Sequence, residues 1–317
     1  MASADLLKSL FSSFKKGDEE QFYVAANLLI NEEKEKKHNV LARDLQRILD
    51  NGRSKPISTP SILDFEKLPR DRERNAALLE IRESKRILGD VILSEKLSQQ
   101  FTLLFKEYQM RERLHSYGLQ PKRKLLFAGP PGCGKTISAE MIAGELGLPL
   151  LYIRFDAVIS SYLGETANNL RKIFDFASKG SWIVFFDEFD AIGKSREDAS
   201  EHGELKRVVN TFLQLLDGFN SESIFVAATN HEGLLDRALW RRFDDIYFFS
   251  PPTEKQISEV IKLKLGNVPH SIHYDNYISK MHGWSHADIE RVCVDAIKIS
   301  IIDGEEDITD KIFLQSL

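Results

Sequence analysis

The sequence predicts an α/β fold: a parallel five-stranded sheet with helices on both faces, a C-terminal helical subdomain and a small N-terminal helical bundle. Three observations predict it. Apolar runs LLFAG (125–129), LPLLYI (148–153), WIVFF (182–186), SIFVAAT (223–229) and IYFF (246–249) alternate with segments of helical periodicity. Strands buried on both faces read as continuous apolar runs of this kind, and strands that alternate with helices form parallel sheets. A Gly-rich turn follows the first run and opens a helix. Beyond Pro251-Pro252 the periodicity is helical to the last residue.

Taken in order, residues 4–50 carry apolar side chains at helical spacing: Leu6, Leu7, Leu10, Phe11 and Phe14, then Phe22, Ala25, Ala26, Leu29 and Ile30, then Leu41, Leu45, Ile48 and Leu49. This predicts a bundle of three helices. The run EEKEKK (32–37) reads as a solvated helix face, with Glu and Lys four apart supporting each other. Asn51-Gly52 closes the last helix, and RSKPISTPS (53–61) has the prolines and serines of a linker. A long amphipathic helix is expected near 95–115, through Leu97, Phe101, Leu104, Phe105 and Tyr108. The expected organisation is a bundle over 1–52, a linker over 53–81, a large α/β subdomain over 82–250 and a helical lid subdomain over 251–317.

Composition narrows the function. The chain has 317 residues, 29% of them charged, and a formal net charge of -5. No global field draws it to nucleic acid or an anionic membrane, so neither is an expected partner. The first ten residues, MASADLLKSL, lack the basic and apolar regions of a signal peptide, and no apolar run approaches a membrane span. A cytoplasmic location is expected. The two cysteines, Cys133 and Cys293, read as reduced thiols rather than a disulfide.

The chemistry lies at the ends of the apolar runs. Gly129-Pro130-Pro131-Gly132-Cys133-Gly134-Lys135-Thr136 fits the P-loop pattern between a strand and a helix, the context that motif requires. Its backbone N–H groups can approach phosphate oxygens, Lys135 can reach the β and γ phosphates, and Thr136 can ligate Mg²⁺. ATP and Mg²⁺ are therefore the expected cofactors. WIVFF ends in Asp187-Glu188, two carboxylates at the carboxyl edge of the sheet. Asp187 would hold Mg²⁺ and Glu188 would polarise an attacking water, so the pair predicts hydrolysis rather than binding alone. SIFVAAT ends in Asn230, a neutral group placed to orient that water. His231-Glu232 does not begin a zinc-protease motif, because position 235 is Leu235.

GPPGCGKT, IVFFDE, AATN and LDRALWRRFD, in this order and spacing, resemble the AAA ATPases of the protein-remodelling type over about 120–300. The resemblance implies that Arg241 and Arg242 complete a neighbouring subunit's site, with the family's Arg-x-Gly-Arg-Phe-Asp shortened here to Arg-Arg-Phe-Asp. Asp217-Gly218-Phe219 is similar to the family's inter-subunit signalling element. GWSHADIE (283–290) resembles the Gly-x-Ser-Gly-Ala-Asp element that touches the adenosine. That implies a nucleotide contact at Ala287 and leaves His286 where the family has glycine. Tyr162-Leu163-Gly164 matches the aromatic, apolar, glycine loop that lines a central pore and grips a threaded polypeptide. The resemblance thus implies an ATP-bound homo-oligomer, a hexameric ring, acting on protein clients selected by the N-terminal bundle. It also admits a regulatory ATPase that gates one dedicated partner protein, such as a subtilisin-like protease, without threading.

Overall fold

A computed structural model describes residues 11–13, 19–35, 68–71, 75–154, 158, 163–189, 202–219, 221–231 and 240–317. Contacts divide the chain into two units, Met1–Thr59 and Pro60–Leu317. In the first, helix α1 (Glu19–Glu35) buries Ala25, Ala26 and Ile30, three of the positions its spacing assigns to an apolar stripe. The apolar stripes at 4–10 and 41–49 and the linker at 53–61 lie outside the described residues.

The second unit begins, in the described chain, with a short strand that no apolar run announced. Strand β1 (Glu80–Arg82) pairs antiparallel with a later strand, Glu80 facing Tyr152 and Arg82 facing Leu150. It follows at the sheet's edge, where half-exposed charged residues are tolerated. Helix α2 (Glu95–Gln109) is capped by Ser94, whose hydroxyl accepts from the Leu97 N–H. The long helix expected over 95–115 is in fact two. Met110, at φ −97° and ψ 13°, ends the first before α3 (Arg111–Ser116) starts.

Then come β2 (Lys124–Ala128), α4 (Lys135–Leu146), β3 (Leu150–Arg154), α5 (Leu163–Ala177), β4 (Ile183–Asp187), α6 (His202–Asp217), β5 (Ile224–Thr229) and β6 (Asp245–Phe248). These five strands are the five apolar runs, each within two residues of its expected bounds. They lie parallel, and with β1 the order across the sheet is β1-β3-β4-β5-β2-β6. The sheet has six strands rather than five, because β1 adds an antiparallel edge.

Successive side chains along a strand point to opposite faces, and each face has its own core. Leu126, Val184, Phe186 and Phe225 pack against α5 and α6 through Phe174, Phe212 and Leu216. Leu125, Phe127, Phe185 and Val226 pack against α2 and α4 through Phe101, Leu104 and Ile142. Helices cover both faces, so the central strands β4, β5 and β2 are buried on both sides.

The C-terminal part is helical, as the periodicity requires. Helix α7 (Glu254–Leu265) starts in a capping box between Thr253 and Gln256. After the short α8 (Asp275–Ile278), α9 (His286–Asp303) starts in a second box between Ser285 and Asp288, and α10 (Asp310–Ser316) is capped by Thr309. Their shared core includes Ile261, Met281, Ile289, Cys293 and Phe313. Among the described residues, no helix is long and apolar enough to cross a membrane.

Candidate functional site

Parallel strands end together, and the registers bring the chemical residues to one edge. Ala128 pairs with Thr229, Phe186 with Ala227 and Arg154 with Asp187. The P-loop after β2, Asn230 after β5 and the acid pair ending β4 therefore lie along the carboxyl edge, the usual ligand edge of open α/β sheets.

The P-loop takes its shape from glycine. Gly132 sits at φ +72°, and a Cβ there would lie 2.5 Å from Ser285 Oγ. Gly129, at φ +144°, lies so close to the Phe249 carbonyl that an added Cβ would collide with it. Lys135 opens α4 and is buried. Its ammonium donates to the carbonyls of Gly129 at 2.7 Å and Pro130 at 2.8 Å, which holds it over the loop. Burial pushes the Cys133 thiol up, which suits a small space-filling residue better than a nucleophile. Both cysteines are free and buried.

Thr136 and Asp187 meet across the site, with Thr136 Oγ1 3.3 Å from Asp187 Oδ2. Two hard oxygen donors at this separation fit a magnesium ion that keeps most of its water. The same Asp187 oxygen accepts from the Tyr152 hydroxyl at 2.9 Å.

Glu188 is exposed and adopts φ +54°, unusual for a side chain with a Cβ. Two contacts hold the turn: Glu188 N–H donates to Asp187 Oδ1 at 2.9 Å, and Phe189 N–H to the Ala228 carbonyl at 2.8 Å. The corner turns the Glu188 carboxylate out of the strand line, and Phe189, fully buried, anchors it from behind.

The helical part closes over the loop. Ala287 N–H donates to the Gly132 carbonyl at 3.1 Å, so an N-terminal amide of α9 is spent on the P-loop. Beside this contact is a cavity of about 50 Å³ lined by Ile92, Gly134, Ile137, Val260, Leu263 and His286. Both ring nitrogens of His286 are shielded and find no hydrogen-bond partner among the described residues, and burial lowers the ring's basicity.

The arginines lie elsewhere. Asp244 N–H donates to the Lys124 carbonyl, which fixes this segment at the start of β2 and β6, the edge opposite the P-loop. Arg241 is exposed there, while Arg242 Nε donates to Asp217 Oδ2 at 2.9 Å. Asp217 ends α6, and Phe219 packs on Phe174 and Phe225. Of the expected pore segment, Tyr162 lies outside the described residues, and Leu163 and Gly164 are the first residues of α5.

Comparison with known proteins settles the family. The family model for the ATPase family associated with various cellular activities (AAA) matches residues 125–251. An uncharacterized AAA family ATPase, y4kL, of Sinorhizobium fredii is 41% identical over 317 residues, covering 100% of this chain and 95% of that one. The chain is an AAA ATPase.

Similarity to the ATPase extends to a proteasome-activating nucleotidase of Saccharolobus islandicus, 31% identical over 285 residues, 86% of this chain and 72% of that one. The ATP-dependent zinc metalloprotease FtsH 3 of Sphaerobacter thermophilus is 33% identical over 230 residues, 70% of this chain and 46% of that protein. The ATPase itself carries no HExxH motif in its sequence, and no group of His, Cys, Asp and Glu suited to a metal stands out among the described residues.

Sequence reasoning missed Tyr152, the Ser285 hydroxyl beside Gly132 and the cavity between loop and lid. The first had a signal: a tyrosine at the end of a buried aliphatic run needs a partner for its hydroxyl. The cavity had none, because its walls come from segments far apart in the chain.

Proposed function

We propose that this AAA ATPase works as a ring, a hexamer when ATP is bound, that couples hydrolysis to the remodelling or threading of protein clients. One observation carries the reading: Arg241 and Arg242 sit at the edge of the sheet opposite their own P-loop. Arginines so placed serve a second copy of the chain better than their own site. A head-to-tail contact that repeats and closes makes a ring. The nature of the cargo is supported by the relatives, whose names attach them to a proteasome and to proteolysis.

Within each site, Gly129 to Gly134 present backbone N–H groups to the phosphates and Lys135 neutralises them. Thr136 and Asp187 would hold Mg²⁺, which draws negative charge from the phosphate oxygens. Glu188 accepts the proton of the attacking water while Asn230 orients that water. The new bond joins water oxygen to the γ phosphorus, the bond to the bridging oxygen breaks, and ADP and phosphate leave. Ala287 and the wall around His286 face the nucleoside end. The cavity there is too small for a purine, so entry of the base would push α7 and α9 outward. Tyr162, Leu163 and Gly164 would grip the client.

The test combines turnover with assembly. Glu188→Gln should retain ATP binding and ring formation while turnover falls at least about 10²-fold, the usual worth of a general base. Lys135→Ala should lose ATP affinity instead. Sedimentation with ATP should show a hexamer for Glu188→Gln. A fully active monomer would overturn the ring, and unchanged turnover would remove Glu188 from the chemistry.

A further inference from the structure

We propose that Tyr152 is a positioning residue for Asp187, with Arg82 holding its ring in place. This rests on the reading of Thr136 and Asp187 as the magnesium site. Tyr152 lies in β3, directly beside β4 and two positions before the Arg154–Asp187 pair. Its hydroxyl donates to Asp187 Oδ2 at 2.9 Å, the oxygen that also lies 3.3 Å from Thr136 Oγ1. The carboxylate is thus held between a strand on one side and the P-loop helix on the other.

A carboxylate at the end of a strand can rotate about its terminal bond. Asp187 Oδ1 accepts the Glu188 N–H and Oδ2 accepts the Tyr152 hydroxyl, so each oxygen has its own donor and the rotation is arrested. The donor's ring is fixed in turn. The Arg82 guanidinium stacks 3.6 Å from the ring centroid, and Glu80 holds that guanidinium at 2.8 Å. Phe185 packs against the ring with centroids 5.7 Å apart. Strand β1, whose pairing puts Glu80 opposite Tyr152, is what brings Arg82 here.

Partners that orient a metal-binding carboxylate tune metal affinity, and their loss typically costs about 10- to 100-fold. Tyr152→Phe removes the hydroxyl and keeps the ring. It should raise the Mg²⁺ concentration that half-saturates the tight binding of a fluorescent ATP analogue by about tenfold. Binding of the same analogue in EDTA and the melting temperature of the nucleotide-free protein should stay at the parent values. Arg82→Ala, which frees the ring without touching the hydroxyl, should give a smaller shift of the same sign. Asp187→Asn is the control for the site: it should abolish the Mg²⁺ dependence, and if it does not, the magnesium reading itself fails. If Asp187→Asn behaves so while Tyr152→Phe leaves the Mg²⁺ midpoint unchanged, the positioning role is overturned and the site stands. A Tyr152→Phe protein that melts early and binds weakly in EDTA as well would make the tyrosine structural, which also overturns it.

Discussion

Alanine at position 132 would meet two obstacles at once: a left-handed backbone at φ +72° and a Ser285 hydroxyl 2.5 Å from the new Cβ. The backbone alone costs about 1–2 kcal/mol. Gly132→Ala should therefore lower the melting temperature by several degrees and weaken ATP binding, measured together by thermal scans with and without nucleotide. His286 offers a second residue-scale test. Arg86, Asp90, Lys264 and Glu290 line the same cavity, and Lys264 is paired with Glu290, yet burial is what lowers the ring's basicity. A base with a depressed folded pKa binds more protons when unfolded, so stability is lost as pH falls below its unfolded value of about 6.5 towards the lower folded one. The drop in melting temperature from pH 7.5 to 5.5 should shrink in His286→Phe; an identical drop would remove His286 from the pH response.

Helix α9 ties the lid to the phosphate loop. Its first turn has free N–H groups to dispose of: Asp288 N–H goes to Ser285 Oγ at 3.2 Å and Ala287 N–H to the Gly132 carbonyl. Ser285→Ala removes the cap at a cost of about 1 kcal/mol and loosens the turn that carries Ala287. A melting temperature lower by a few degrees and a severalfold weaker ATP affinity should follow, and unchanged affinity would show that the lid docks without its cap. At this scale the sequence was most legible where burial was complete. The central strands could be read because Val184, Phe185 and their neighbours are buried on both faces and leave no polar alternation to confuse the pattern, and β6 because IYFF is apolar even where Phe248 is exposed. β1 escaped because Glu80-Ile81-Arg82 is a short, half-exposed edge that reads like a loop. The break at Met110 escaped too, since Met110-Arg111-Glu112-Arg113 holds no glycine or proline to mark it. In the candidate site, Lys135, Thr136 and Asp187 were legible from local motifs. Tyr152 became visible only when the sheet placed β3 beside β4.

At the scale of the proposed ring, the arginines give the sharpest expectation. Subunits carrying Arg241→Ala and Arg242→Ala together, and subunits carrying Glu188→Gln, should each be inactive alone. Mixed in equal amounts, about a quarter of the interfaces in a head-to-tail ring would join an intact Glu188 to intact arginines, and hydrolysis should recover in proportion. Failure to recover in rings shown to be mixed would place the arginines within their own subunit or outside the chemistry. The two guanidiniums are not equivalent: Arg242 is held by Asp217 while Arg241 is exposed, so Arg241→Ala alone should cost more turnover than Arg242→Ala.

Strand β6 joins these arginines to the phosphate loop. It starts three residues after Arg242 and ends at Phe248, next to Phe249, whose carbonyl occupies the space a side chain on Gly129 would need and whose N–H is bonded to Ala128. A strand of four residues spans about 13 Å and barely stretches. It behaves as a connecting rod. In the proposed ring, a pull on Arg242 would arrive at the other end as a shift of the wall behind Gly129. In a ring built on that linkage each subunit would sense its neighbour's hydrolysis as strain on its own phosphate loop, and the order of firing around the ring would be a mechanical property of this one short strand.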